Sequence, residues 1–169
     1  MNPLGSLIDI IPGTVPADIQ TAVAGDYVSL KNANGVLVVF FKGAGTAADD
    51  PTLELQQATT VAGGSAKDLN GFVEIYKKQG AALTAVGTWT KVTQTADEDF
   101  VGDGTSAEEQ GLYCVWIPVT MLDVANGFDC VQANVKDVGS NAQLGCVLYI
   151  LCGLRYAGSP TSLPNSITN

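Results

Sequence analysis

Six carboxylates crowd the stretch ADEDFVGDGTSAEEQG: Asp97, Glu98, Asp99, Asp103, Glu108 and Glu109 fall within thirteen residues. Hard oxygen ligands on a loop are what calcium takes, and paired carboxylates are the acid and base of glycoside hydrolysis. The EF-hand spacing fails, because Val101 stands where a third oxygen ligand belongs. Glycoside hydrolysis needs two carboxyl groups facing each other across a cleft, a pairing no linear pattern displays. The cluster therefore reads as a solvated surface loop. Asp49 and Asp50 in AADDPT read likewise as a turn, fixed by Pro51. No metal is expected.

The remaining reactive groups are few. The chain has no histidine, which removes Ser-His-Asp and Cys-His catalysis, HExxH zinc sites and the commonest metal ligand. The glycines of GAGTAADD and GDGTS lack the lysine that a P-loop places after them. No catalytic or cofactor-binding residue is assigned, no cofactor is expected, and the chain is read as a non-enzyme. Cys114, Cys130, Cys146 and Cys152 each lie in a strand-like run and form no C-x-x-C. They are expected to be free, buried thiols in a reducing compartment. An exposed tryptophan would offer a sugar platform. Trp89, between Thr88 and Thr90, can face either way, whereas Trp116 lies in a run too apolar for a wet strand and is expected in the core.

The elements that must position these residues are short strands. Of 169 residues 46% are apolar and only 15% charged, with 19 glycines, the composition of one globular domain built from strands and turns. Eight runs qualify: DYVSLKN, VLVVFFKG, TLELQQAT, FVEIYKKQG, GTWTKVTQT, LYCVWIPV, FDCVQANVKDV and the run from Leu144 to Leu154. TLELQQAT alternates clearly, with Leu53 and Leu55 inward and Glu54 and Gln56 outward. No ten-residue amphipathic helix interrupts them. This spacing predicts an all-β, antiparallel β-sandwich, jelly-roll-like, of seven or eight strands. Residues 1–25 read as an N-terminal arm, 26–157 as the single sandwich domain, and 158–169 as a polar, Pro-interrupted C-terminal tail.

Charge narrows the partners. A net charge of −9, with one arginine at Arg155, provides no basic cluster for phosphate, so neither nucleic acid nor an anionic membrane surface is expected. The start MNPLGSLIDIIPG has neither a basic region nor an unbroken apolar region, so no secretory signal is read there and synthesis in cytoplasm is expected.

The run QLGCVLYILCGLRYA raises a separate question. Leu144, Cys146, Leu148, Ile150 and Cys152 fall on one face and Val147, Tyr149 and Leu151 on the other, so both faces are apolar. A two-layer sandwich leaves each sheet one outer face, and monomers rarely expose an apolar patch of several hundred Å². One face should therefore meet another protein chain, and Val147, Tyr149 and Leu151 are assigned to that interface.

The segments GDYVSLKNANGVLVVFFKGAGTAADDPTLELQQATTVAGGSAKDLN, VGTWTKVTQTADEDF and GFDCVQANVKDVGSNAQLGCVLYILCGLRYAG resemble a family of small virion structural proteins of tailed bacteriophages, over roughly Gly25 to Ala157. The resemblance implies a head decoration, cement or minor capsid protein that binds and stabilises the assembled head. It implies the major capsid protein as partner, self-association as a trimer ahead of a dimer, and a place on the capsid surface after assembly in the bacterial host cytoplasm. It transfers no catalytic motif. The alternative is a carbohydrate-binding or adhesin-like sandwich, which an exposed Trp89 or a calcium-loaded acidic loop would favour.

Overall fold

The computed structural model describes residues 2–83, 87–102, 107–136 and 139–167. It is nearly all β, 46% strand and 8% helix, as the sequence predicts. Twelve strands form among the described residues, more than the seven or eight expected. They are β1 (Ile8–Pro12), β2 (Ala17–Asp18), β3 (Val28–Ser29), β4 (Gly35–Lys42), β5 (Thr52–Ala58) and β6 (Lys67–Asp68), followed by β7 (Phe72–Gly80), β8 (Thr90–Asp97), β9 (Asp99–Val101), β10 (Gln110–Pro118), β11 (Cys130–Lys136) and β12 (Leu144–Cys152). The additional strands are short and pair with partners distant in sequence, so local periodicity gives no sign of them.

One sheet runs β1-β12-β4-β10-β7-β8, with β2 also on β12; the other runs β3-β11-β5-β6, with β9 also on β5. Every pairing between the strands is antiparallel. Setting aside β2, β6 and the β7–β8 hairpin, the chain visits the sheets in the order large, small, large, small, small, large, small, large. That is the eight-strand jelly roll of two Greek keys, with a hairpin inserted between its fourth and fifth strands, β5 and β9, that widens the large sheet.

The core lies between the sheets. From the large sheet Val38, Phe40, Val115 and Tyr149 point into it, and from the small sheet Leu53, Leu55, Val131 and Ala133 meet them, all at most 1% exposed. TLELQQAT behaves as its alternation predicts.

The segment read as an arm is instead part of the sandwich. Ile8 to Pro12 pair with Cys152 to Leu148 as the edge strand, where a proline at the strand end removes no ladder bond that the sheet needs. Gly13 N–H and Thr14 N–H then donate to the Val147 carbonyl, and Val23 exchanges backbone bonds with Val135 of the small sheet. The tail is also seated: Ser29 N–H donates to the Ser166 carbonyl at 3.0 Å, and Ile167 packs on the core.

Candidate interaction surface

Strand β12 settles which of its two apolar faces is interior. Val147, Tyr149 and Leu151, expected at an interface, are at most 1% exposed and belong to the core. Tyr149 explains the choice. Its hydroxyl accepts the Ala133 N–H at 2.8 Å and donates to the Asp26 carbonyl at 2.9 Å, so the phenol finds both partners only across the sandwich. Burial raises its pKa well above the ordinary value. The outward side chains are those of Leu144, Cys146, Leu148, Ile150 and Cys152.

The register extends this face across the sheet, since residues opposed in a ladder share a side. Ile10 opposes Ile150, which opposes Leu37, which opposes Trp116. In the next row Pro12, Leu148, Val39, Cys114 and Tyr76 follow one another. A third row runs Cys146, Phe41, Leu112, Lys78. No charged side chain interrupts these rows until Lys78. Ile10 and Phe41 are each 48% exposed and Trp116 42%, so the described chain leaves the face open to solvent. At its Leu144 end an apolar dent of about 160 Å³ lies against Pro16, Phe41 and Cys146.

Trp116 therefore lies outside the core. A Cβ on Gly35 would stand 2.6 Å from its ring, so the indole reaches over that glycine, and the side chain is still 42% exposed. Trp89 is half exposed, with the Lys78 ammonium 4.8 Å from its ring centroid. Three of the four cysteines, Cys114, Cys146 and Cys152, sit on this face, and Cys130 sits on the small sheet. All four are free. Burial raises the Cys114 thiol to about 11 and that of Cys130 to about 12, so neither is a nucleophile at neutral pH.

The acidic loop does not converge on a site among the described residues. Asp97 and Glu98 share a hydrogen bond that lowers the first and raises the second. Asp99 turns away to Lys136 at 2.7 Å, while Glu109 offers its carbonyl to Lys42. Asp103 lies outside the described residues. Among the described residues no three His, Cys, Asp or Glu side chains gather as metal ligands would. Asp49 caps the turn before β12, accepting from Asn141 N–H at 3.0 Å and from its amide nitrogen at 2.9 Å. Those bonds lower its pKa.

A buried cation was not singled out from the sequence. Lys42 ends the inward row of β4, 1% exposed, and its ammonium donates to the carbonyls of Glu109 (2.6 Å), Gly43 (3.1 Å) and Ala107 (3.4 Å). Burial lowers its pKa to about 8, against the pull of Asp50, Glu109 and Glu108. It pins the 107–109 segment to the end of the sheet.

No family model matches the chain, and no curated protein matches it. The likeness to phage virion proteins thus rests on the segments quoted above. Among solved structures, the fold is similar to the crystal structure of SPBc2 prophage-derived protein YomS, with a TM-score of 0.42 and 7% identity over 84% of this chain and 92% of that one.

Proposed function

We propose that this chain is a structural, non-enzymatic protein of a phage virion, a decoration or cement protein that binds the assembled head. The observation that carries the reading is the apolar outer face of the large sheet. A soluble protein keeps such a face only if something covers it in use. In this reading the protein is made in the host cytoplasm and ends on the capsid surface, with the major capsid protein and further copies of itself as partners. The mechanism is mechanical: each copy adds interface between neighbouring subunits, and particle symmetry multiplies a contact of about 1,600 Å² many times over. The jelly roll is compatible with it, being common in capsid and lectin domains alike, but a fold does not assign a role.

The test is co-sedimentation with undecorated heads. Binding that saturates at a fixed ratio to the major capsid protein, and heads that then resist heat better, is the expected result. Absence of the protein from the pellet at every ratio overturns the reading.

Half-exposed Trp89, Trp116 and Tyr76 favour a second reading, a carbohydrate-binding or adhesin-like module. Glycan binding lost on Trp89→Ala would put it first.

A further inference from the structure

We infer that the outer face of the large sheet is covered by a second copy of the same chain, in a two-fold dimer whose axis runs along the strands between β4 and β10. The inference rests on the reading above only in taking this face as a protein interface, and it names the occupant.

Size is the first argument. The apolar rows cross five strands, β1 to β7, and run the length of β12. With strands about 4.8 Å apart and residues about 3.4 Å apart, the flat footprint is roughly 500 Å². Projecting side chains raise the accessible area above that, towards the about 800 Å² each partner contributes to a standard interface.

Symmetry is the second. A single contiguous patch that meets its own copy does so isologously and closes as a two-fold, whereas a trimer needs two different patches. The sequence expectation of a trimer ahead of a dimer is therefore reversed in this proposal. Charge agrees: two chains of net charge −9 repel wherever carboxylates meet, and the uncharged centre of this face is where like copies approach at least cost.

The edges set the direction of the axis. On the β7–β8 side the outward cations are Lys78, above Trp89, and Lys91, paired with Glu74. The opposite edge carries exposed Asp18 beside Leu144, and no lysine or arginine occurs in the first thirty residues. An axis perpendicular to the strands would lay each edge over itself and bring lysine to lysine. An axis along the strands lays the β7–β8 edge of one copy over the β1–β2 edge of the other. It also sets Phe41 against Leu112 and Leu148 against Tyr76 of the second copy, within the usual crossing of about 30° between aligned sheets.

Light scattering of the purified protein over increasing concentration reads the prediction. Wild type should reach twice the 17.5 kDa chain mass, and Phe41→Glu should remain at one chain mass with an unchanged circular dichroism spectrum. Leu148→Glu and Tyr76→Lys should each lose the dimer alone and regain it when mixed, because only a mixed pair opposes glutamate to lysine. A monomeric wild type, or a dimer indifferent to Phe41→Glu and Leu148→Glu, overturns the inference. Loss of the dimer without rescue on mixing overturns the axis. These readouts need no capsid, so failure to bind heads sinks the proposed function and leaves the dimer to be judged on its own.

Discussion

The two outer faces of this sandwich differ in what they put into water. On the small sheet the opposed pairs are Gln56 with Gln132, Glu54 with Asn134 and Thr52 with Lys136, and Lys136 bridges Glu54 and Asp99 at 3.1 and 2.7 Å. At the same place on the large sheet stand Ile150 with Leu37 and Val39 with Cys114. Both sheets bury their inner faces in one core, so stability of the domain explains neither choice. A face that only needs to stay wet takes amides and ion pairs. One that stays apolar is accounted for by the contact proposed above, and that difference is what an experiment has to break.

The largest effect should separate inner from outer on a single strand. Tyr149→Ala removes a fully buried ring and its two hydrogen bonds, one to β11 of the small sheet and one to the segment before β3, and should cost about 3–5 kcal/mol. Its outward neighbour Leu148, 36% exposed, should cost about 1 kcal/mol as Leu148→Ala. Urea denaturation at a concentration where the protein is monomeric measures both. Tyr149→Phe keeps the ring and should lose about 1–3 kcal/mol for the Ala133 N–H and Asp26 carbonyl left unpaired. Equal costs at positions 148 and 149 would mean that the outer face is packed by the chain itself.

That contrast also marks what the sequence reveals. The two apolar faces of β12 are legible in QLGCVLYILCG, because alternation is local. Which one is interior is not, since Leu, Cys and Ile on one side match Val, Tyr and Leu on the other in hydrophobicity. The signal was Tyr149: a hydroxyl that needs partners, here supplied by residues 16 and 123 positions away in the chain. Pro12, Gly13 and Pro16 likewise suggested an arm, although Ile8, Ile10 and Ile11 were available for an edge strand. Trp116 differs from its expected place in the core for the same reason that β12 is ambiguous: its strand is apolar on both sides.

An intermediate effect comes from Lys42, the cation inside the core boundary, and it depends on pH. Its folded pKa of about 8 lies below the ordinary 10.5. Between those values the unfolded chain holds a proton that the folded chain has released, so raising the pH through this window should increase stability. The gain is fully present above the unfolded value and lost as pH falls through about 8. Cysteines and tyrosines titrate nearby, so the quantity to follow is the difference between wild type and Lys42→Met in denaturation midpoint. That difference should change across the window in favour of wild type as pH rises. A difference independent of pH would mean that Lys42 keeps its ordinary pKa, its three carbonyls compensating for burial.

The smallest effects should fall on the outer faces themselves, and salt should tell them apart. Lys136→Met removes the bridge between Glu54 and Asp99 on a side chain 41% exposed, worth about 1 kcal/mol or less. Leu144→Ser replaces a side chain 65% exposed and should change monomer stability by about 0.5 kcal/mol or less. Near-equal at low salt, the two diverge in origin. At about 1 M salt, where screening acts over about 3 Å, the Lys136→Met deficit should shrink. The Leu144→Ser value should hold, because burial of an apolar group does not depend on screening. Paired denaturation curves at the two ionic strengths decide it. A Lys136→Met deficit that persists undiminished in high salt would mean that Lys136 contributes through the packing of its stem, and the small sheet's outer face would then resemble the large one more than its sequence indicates.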